Sequence, residues 1–357
     1  MSHRQPLFII NSVAPIRICD NGGWTDTWFA KYGRIFNIGV YPYAEVQVAV
    51  YTDDRKPKGD AEERIIINAE NYGERYVVNP EKHWDKHPLL EAGIEYMCVP
   101  ENLSFEVTIF SEAPGGASTG TSAAVTVALI GALDYLTPGR MTPHEVALAA
   151  HKIETEMLHQ QSGIQDQLCS AYGGINFIEM YDYPHASVSQ IQVPNAIWWE
   201  LERRLVLIYL GKSHQSSPVH EMVIQGLEDA GPGCKQLEDL RGTAVLSRDA
   251  LYAGDFEGLG QAMIENTLAQ GRLHPNLISP DAHRVIEIAQ EHGALGWKLN
   301  GAGGDGGSLT ILCGTSSQVK RTMIREIEQE KALFKNIPIY LSRYGLRVWK
   351  QECGSKE

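Results

Sequence analysis

Three absences narrow what this chain can be. Its six cysteines (Cys19, Cys98, Cys169, Cys234, Cys313 and Cys353) include no C-x-x-C pair. Neither a cysteine zinc site nor a disulfide framework is therefore indicated, and thiols in a reducing compartment are the simplest reading. Basic charge is not in excess: 31 Lys and Arg stand against 44 Asp and Glu, a formal net charge of −13. That balance argues against broad binding to nucleic acid or to an anionic membrane, although a local nest of donors could still hold a phosphate. Long apolar runs are missing too. Even Ala123 to Leu133 is too short to span a bilayer, and the N-terminus lacks the basic-then-apolar pattern of a secretory signal. There is no internal repeat and no low-complexity segment. The expectation is a cytoplasmic protein whose partners are small molecules, with neither nucleic acid nor membrane, and with a homodimer left open.

What is present is an ordinary globular composition, 43% hydrophobic and 21% charged over 357 residues. This is enough for a large core and predicts two domains, 1–193 and 194–357. Glu45–Val50 and Phe105–Ile109 alternate polar and apolar residues, as half-buried strands do. Asp53 to Asp60, with Pro57 and Gly59, reads as a polar turn. A helix is predicted from about Ser122 to Leu136, ended by Thr137-Pro138-Gly139. Thr142-Pro143-His144-Glu145 is a helix start with a capping box, and the helix it opens should run to about His159. Further on, Arg204–Leu210 reads as a strand. Helices are expected near 218–227, 233–248, 256–269, 280–292 and 317–331, and strands near 308–313, 337–341 and 346–349. Strands and helices without strict alternation predict an α+β fold rather than a doubly wound sheet.

The densest chemical signal is Glu112-Ala113-Pro114-Gly115-Gly116-Ala117-Ser118-Thr119-Gly120-Thr121-Ser122. It follows a strand pattern and runs straight into a helix pattern. Glycines let backbone approach an anion, and N–H groups at a helix start point at it. Hydroxyls of Ser118, Thr119, Thr121 and Ser122 add donors and a candidate Mg²⁺ ligand. The competing reading is a flexible surface loop. Glu154 falls near the buried face of its helix, where a carboxylate needs a cation or donors. With Ser122 it could hold Mg²⁺, or it could simply be salt-bridged to a neighbour. Asp166, in Gly163-Ile164-Gln165-Asp166-Gln167, could orient or deprotonate a hydroxyl, or cap a helix. Ala14 to Asp26 crowds Arg17, Asp20, Asn21, Gly22, Gly23, Thr25 and Asp26 together, which suits polyol recognition or merely a turn.

Two glycine-rich segments are decoys. Asn300-Gly301-Ala302-Gly303-Gly304-Asp305-Gly306-Gly307 contains G-x-G-x-x-G, but a strand pattern follows where a dinucleotide site needs a helix. Gly211-Lys212-Ser213 lacks the first Gly of a Walker loop, which must stand before the four residues that precede Gly211, where this chain has Val206.

Taken in order, the segments 14–26, 114–124 and 301–307 resemble the three motifs of the GHMP small-molecule kinases. The resemblance spans nearly the whole chain. It implies a ribosomal protein S5 domain 2-like N-terminal domain and a ferredoxin-like C-terminal domain, with ATP and substrate between them. By this resemblance Pro114, Gly115, Gly116, Ala117, Ser118, Thr119, Gly120, Thr121 and Ser122 cradle ATP, and Ser122 and Glu154 hold Mg²⁺. Asp166 matches a catalytic aspartate, with Arg17 beside it. Gly23, Trp24, Thr25, Asp26, Gly174, Gly303, Gly304 and Asp305 are the implied substrate contacts. Gly22–Asp26 and Gly163–Gln167 are similar to bacterial D-glycero-D-manno-heptose phosphate kinases and to L-fucokinases. Chain length and Lys31–Asn37 look more like the former. The implied reaction is phosphorylation of the anomeric hydroxyl of a sugar phosphate or sugar. The chain departs from the family pattern in carrying Ala117-Ser118-Thr119 where Gly-Leu is usual and Asp305 where Gly is common. It also has His214 near a position where heptose kinases tend to have Arg, leaving His214, Ser216 and Ser217 as candidates for a substrate phosphate.

Overall fold

The computed structural model describes residues 5–51, 64–79, 83–212 and 218–353. The turn expected at Asp53–Asp60 and the candidates His214, Ser216 and Ser217 lie outside them. The first half contains strands β1 (Phe8–Asn21), β2 (Gly33–Tyr51), β3 (Ile65–Ala69), β4 (Glu74–Val77), β5 (Ser104–Ser111), β6 (Ile175–Asp182) and β7 (His185–Gln190). Helices α1 (Pro88–Tyr96), α2 (Thr121–Asp134), α3 (Pro143–Lys152) and α4 (Gln165–Tyr172) lie between them. The second half contains α5 (Asn195–Arg204), β8 (Leu205–Tyr209), α6 (Pro218–Ala230), α7 (Lys235–Ala253), α8 (Phe256–Leu273) and α9 (Pro280–Glu291). It closes with β9 (Gly296–Leu299), β10 (Ser308–Leu312), α10 (Ser317–Glu330), β11 (Lys335–Ile337), β12 (Tyr340–Leu341) and β13 (Arg347–Glu352).

Two sheets result. The larger has nine strands, with a spine in the order β13-β1-β2-β5-β3-β4; the smaller has the order β11-β8-β10-β9. The long β2 is the organising strand, since it pairs with β1, β5, β6 and β12. From Ala44 to Val50 its burial alternates, but from Ile35 to Val40 successive residues are all buried. Successive side chains point to opposite faces, so both faces are covered there. Helix α2 is buried along almost its whole length, with Ala, Leu and Val facing β1 and β2 as well as α3 and α4. That is why its sequence shows no polar stripe.

The sheets differ from the predicted domain boundary in one respect. After position 194 the chain builds the smaller sheet, but β12 and β13 return to pair with β2 and β1. The single strand expected over Ile337–Leu341 is therefore two, β11 in one sheet and β12 in the other. Pro338 lies between them; it has no N–H to continue a ladder. The helix expected to reach His159 also differs. Its capping box forms, with Thr142 and Glu145 bonded reciprocally, but α3 ends at Lys152 and a single π-helical turn, Ile153–Met157, completes it. No helix among the described residues is long and apolar enough to cross a membrane.

Candidate active site

β5 hands the chain to the glycine-rich loop, and α2 starts at Thr121. Within the loop Gly116, Ser118 and Gly120 all have positive φ, of 72°, 55° and 68°. Alternating left-handed residues turn successive N–H groups towards one point, a shape suited to an anion. No side chain caps the start of α2, so its first N–H groups face the same space. Ser118 is not a glycine, and its strained conformation is held from outside: Arg17 Nη1 donates to its carbonyl at 2.5 Å. The Arg17 backbone N–H also donates to the Thr119 carbonyl at 2.9 Å. Ser118 Oγ is buried with no hydrogen-bond partner among the described residues.

The loop forms one wall of a cleft of about 830 Å³, which Arg17, Glu154, Ser162, Asp166, Gly301 and Ala302 also line. Its floor is organised by three consecutive residues at the start of α4. The Gln165 backbone N–H donates to Asp26 Oδ2 at 3.1 Å. Asp166 accepts from Arg17 Nε at 2.6 Å and from Nη2 at 3.3 Å. Gln167 Nε2 donates to Glu154 Oε2 at 2.8 Å. One helical turn thus fixes two further acids and one arginine, drawn from three other parts of the chain.

The electrostatics follow from burial. Burial pulls the Arg17 guanidinium down, but Asp166 and Asp20 outweigh it and hold it above the ordinary arginine range. Burial pushes Asp26 up to about 6 against the opposing Gln165 N–H, and pushes Glu154 up to about 7 against Ser162 and Gln167. Glu154 Oε1 is buried and has no partner among the described residues. An orphaned carboxylate oxygen bordering an anion cradle fits a divalent cation. No group of three or more His, Cys, Asp or Glu side chains suited to a metal occurs among the described residues. Such a cation would rest on Glu154, a hydroxyl such as that of Ser122, and the phosphate oxygens, which is a donor set that suits Mg²⁺.

The substrate contacts expected from sequence divide. Asp26 lies against Gly163, where a β-carbon would come within 2.0 Å of its Oδ2, and Gly23 lies beside Asp20 and Gln165. Thr25 is spent on its own turn: its hydroxyl donates to the Gly22 carbonyl and accepts from the Arg34 N–H. Trp24 is buried and stacks on His220 at 6.1 Å between ring centres. Gly174 is not brought to the cleft. Its N–H donates to Ser342 and its carbonyl accepts from Gly39, so it closes sheet edges. Gly303 and Gly304 pack against His220 and Leu277, while Asp305 is exposed and paired with Lys212 at 2.8 Å. From that third glycine segment Gly301 and Ala302 reach the cleft instead. The segment docks on the first loop, with Ser308 Oγ donating to the Ala117 carbonyl at 2.6 Å.

Sequence reasoning assigned no part to Lys298, Ser162 or Gln167. Lys298 Nζ reaches Asp20 Oδ1 at 3.2 Å, both side chains 1% exposed. Its signal was a lysine inside a strand that is otherwise buried throughout. The two glutamines flanking Asp166 had no periodic signal, because their partners come from distant segments.

The GHMP kinases N terminal domain matches residues 89–174, and the GHMP kinases C terminal model matches 247–328. The chain is 25% identical over 248 residues to D-glycero-alpha-D-manno-heptose 7-phosphate kinase of Campylobacter jejuni, covering 70% of this chain and 71% of that one. It is 31% identical over 251 residues to mevalonate kinase of Thermococcus sibiricus, covering 68% of each. Among solved structures it matches a D-glycero-D-manno-heptose 1-phosphate kinase from Bacteriodes thetaiotaomicron with a TM-score of 0.73 at 20% identity, over 95% of this chain and 98% of that one. An anion cradle leading into α2, a second glycine segment docked on it and an Arg–Asp pair between them are thus found in a chain matched in sequence at both halves: it belongs to the GHMP kinase family, and is a phosphotransferase that takes its phosphoryl group from ATP.

Proposed function

We propose that this kinase phosphorylates the anomeric hydroxyl of a sugar, and that the sugar is a heptose phosphate: D-glycero-D-manno-heptose 7-phosphate, giving the 1,7-bisphosphate. The observation that carries the chemistry is the placement of Asp166. Its carboxylate is held by two nitrogens of Arg17, borders the cleft, and lies where Gly120 ends the phosphate loop. A hydroxyl seated against it would face a terminal phosphate held by residues 114–122. The choice of sugar rests on the likeness to the Campylobacter enzyme and on Gly22–Asp26 and Gly163–Gln167.

Phosphoryl transfer depends mainly on alignment and on neutralising charge. Loop amides and the start of α2 hold the phosphates. Arg17 fixes the Asp166 carboxylate and supplies positive charge beside it. Asp166 aligns the acceptor hydroxyl and takes its proton as the new O–P bond forms. Asp26, fixed at Oδ2 by the Gln165 N–H and at Oδ1 by Gln165 Nε2, would accept from a sugar hydroxyl at the remaining lone pair of Oδ1. A Mg²⁺ ion on Glu154 and Ser122 would neutralise phosphate charge when bound.

Asp166→Asn keeps the shape and should fold normally, while kcat falls about 10²–10⁴-fold. Turnover near wild type would remove Asp166 from the mechanism. The sugar is tested by a coupled assay with Mg-ATP against heptose 7-phosphate, unphosphorylated heptose, L-fucose, D-mannose, galactose and mevalonate. Preference for the heptose 7-phosphate supports the assignment. Preference for L-fucose would move the protein to the fucokinase-like reading, which the Gly-Gly-Trp-Thr-Asp segment at 22–26 favours.

A further inference from the structure

Glu154 is held from two directions at a single oxygen. Ser162 Oγ donates to Oε2 at 2.9 Å, and Gln167 Nε2 donates to the same atom at 2.8 Å. Oε1 receives nothing among the described residues, although it is buried. Left alone, a buried carboxylate would share donors between both oxygens, because each unmet acceptor costs free energy. Here the donors are concentrated. Ser162 belongs to the segment before α4, Gln167 to α4 itself and Glu154 to the π turn that continues α3, so the carboxylate is clamped from the α4 side while α3 packs on α4.

We propose that Ser162 and Gln167 are positioning residues for the cation that accompanies the nucleotide. By claiming Oε2 they leave Oε1 as the one oxygen available to it, and they make Glu154 a single-oxygen ligand of fixed direction. The inference rests on reading Glu154 as the cation's protein ligand. It adds a structural link: Gln167 directly follows Asp166, so the turn that carries the acceptor's carboxylate also aims the cation's ligand. Partners that orient a metal ligand typically govern affinity 10–100-fold. A role confined to packing would lower stability and leave cation affinity alone.

The test uses the full chain with a non-hydrolysable ATP analogue, reading free Mn²⁺ by electron paramagnetic resonance. Wild type is compared with Gln167→Met, Ser162→Ala and Glu154→Gln, with analogue affinity in the absence of metal as the control for folding and nucleotide binding. Glu154→Gln should weaken Mn²⁺ binding most. Gln167→Met should weaken it about tenfold and Ser162→Ala in the same direction, with metal-free analogue affinity unchanged. In steady state the Mg²⁺ concentration for half-activation should rise while kcat at saturating Mg²⁺ stays near wild type. Should Gln167→Met not fold, Ser162→Ala, altered only at the cleft border, carries the test. Wild-type Mn²⁺ affinity in the folded Gln167 and Ser162 variants, beside a loss in Glu154→Gln, would overturn the positioning role alone. Wild-type affinity in Glu154→Gln would overturn the reading of Glu154 and this inference with it.

Discussion

At the scale of single residues, the site is surrounded by groups whose protonation burial has displaced in opposite senses. His151 is 3% exposed, its Nε2 lies 2.8 Å from the Tyr183 hydroxyl, and that hydroxyl donates to the Ser162 carbonyl at 2.9 Å. Burial presses the His151 imidazole down to about 4. The folded chain therefore stays neutral there while the unfolded chain takes a proton below about 6.5. Stability from this residue is complete above that value and is lost as pH falls towards 4, at up to about 1.4 kcal/mol per pH unit. Asp26 works the other way. Its folded value near 6 exceeds the ordinary aspartate range, so the fold takes up a proton first and gains stability as pH falls below 6. The two windows overlap and offset each other in the wild type. Replacing His151 by Gln should expose the imbalance: the difference in Tm between variant and wild type should shift in the variant's favour from pH 7.5 to pH 5. A difference independent of pH would mean that His151 titrates in the fold as it does unfolded.

At the scale of elements, the junction between the loop and α2 is tied to α4 more tightly than either sequence segment reveals. Gly120 has φ of 68°, and a β-carbon on it would stand 3.0 Å from Cγ and Oδ2 of Asp166. Both facts count against any other residue there, and the second aims the damage at the Asp166 carboxylate. Gly120→Ala should lower kcat about 100-fold through displacement of Asp166. The accompanying loss of Tm should be small, since the helix beyond remains packed. Loss of stability with kcat intact would show that Asp166 does not depend on this contact. The π turn at Ile153–Met157 belongs to the same scale. Glu154 is its second, buried residue, and such turns often mark functional sites.

At the scale of the whole molecule, the end of β1 is the seam between the two sheets. The Cys19 N–H donates to Asn300 Oδ1, the Gly22 N–H donates to Asn266 Oδ1, and Asn21 donates to Ser247. At the centre, Asp20 accepts from the Gly301 N–H and pairs with Lys298. Burial draws Lys298 below the ordinary lysine range against the pull of Asp20. Breaking a buried pair by removing one partner is costly because the other charge is stranded. In denaturant unfolding, Lys298→Met should destabilise the fold by less than the about 3–5 kcal/mol of a fully stranded charge, because Arg17 Nη2 still lies 3.8 Å from Asp20 Oδ2, and Asp20→Asn added to it should recover part of that loss. Absence of any recovery would show that Lys298 acts through packing and not through its charge.

The strands at 45–50 and 105–109, the capping box at Thr142, the loop entering α2 and the order of three motifs were all legible in the sequence. Each depends on neighbours in the chain, through periodicity, turn chemistry or a helix start, and such signals survive without a structure. The sequence also placed Asp166, Arg17 and Glu154 among the residues to watch, although alternative readings stayed open for the two acids. Tertiary structure decided the rest. Only the sheet pairing returns β12 and β13 to the first sheet. Only the fold spends Thr25 on a turn, keeps Gly174 at a sheet edge and brings Gly301 rather than Asp305 to the cleft. Only the approach of α4 to segments more than a hundred residues away makes Asp166 a partner of Arg17 and Gln165 a partner of Asp26. The physical reason is common to these cases. A hydrogen bond or an ion pair is set by direction and distance in space, and between residues far apart in sequence those are fixed by the packing of whole elements.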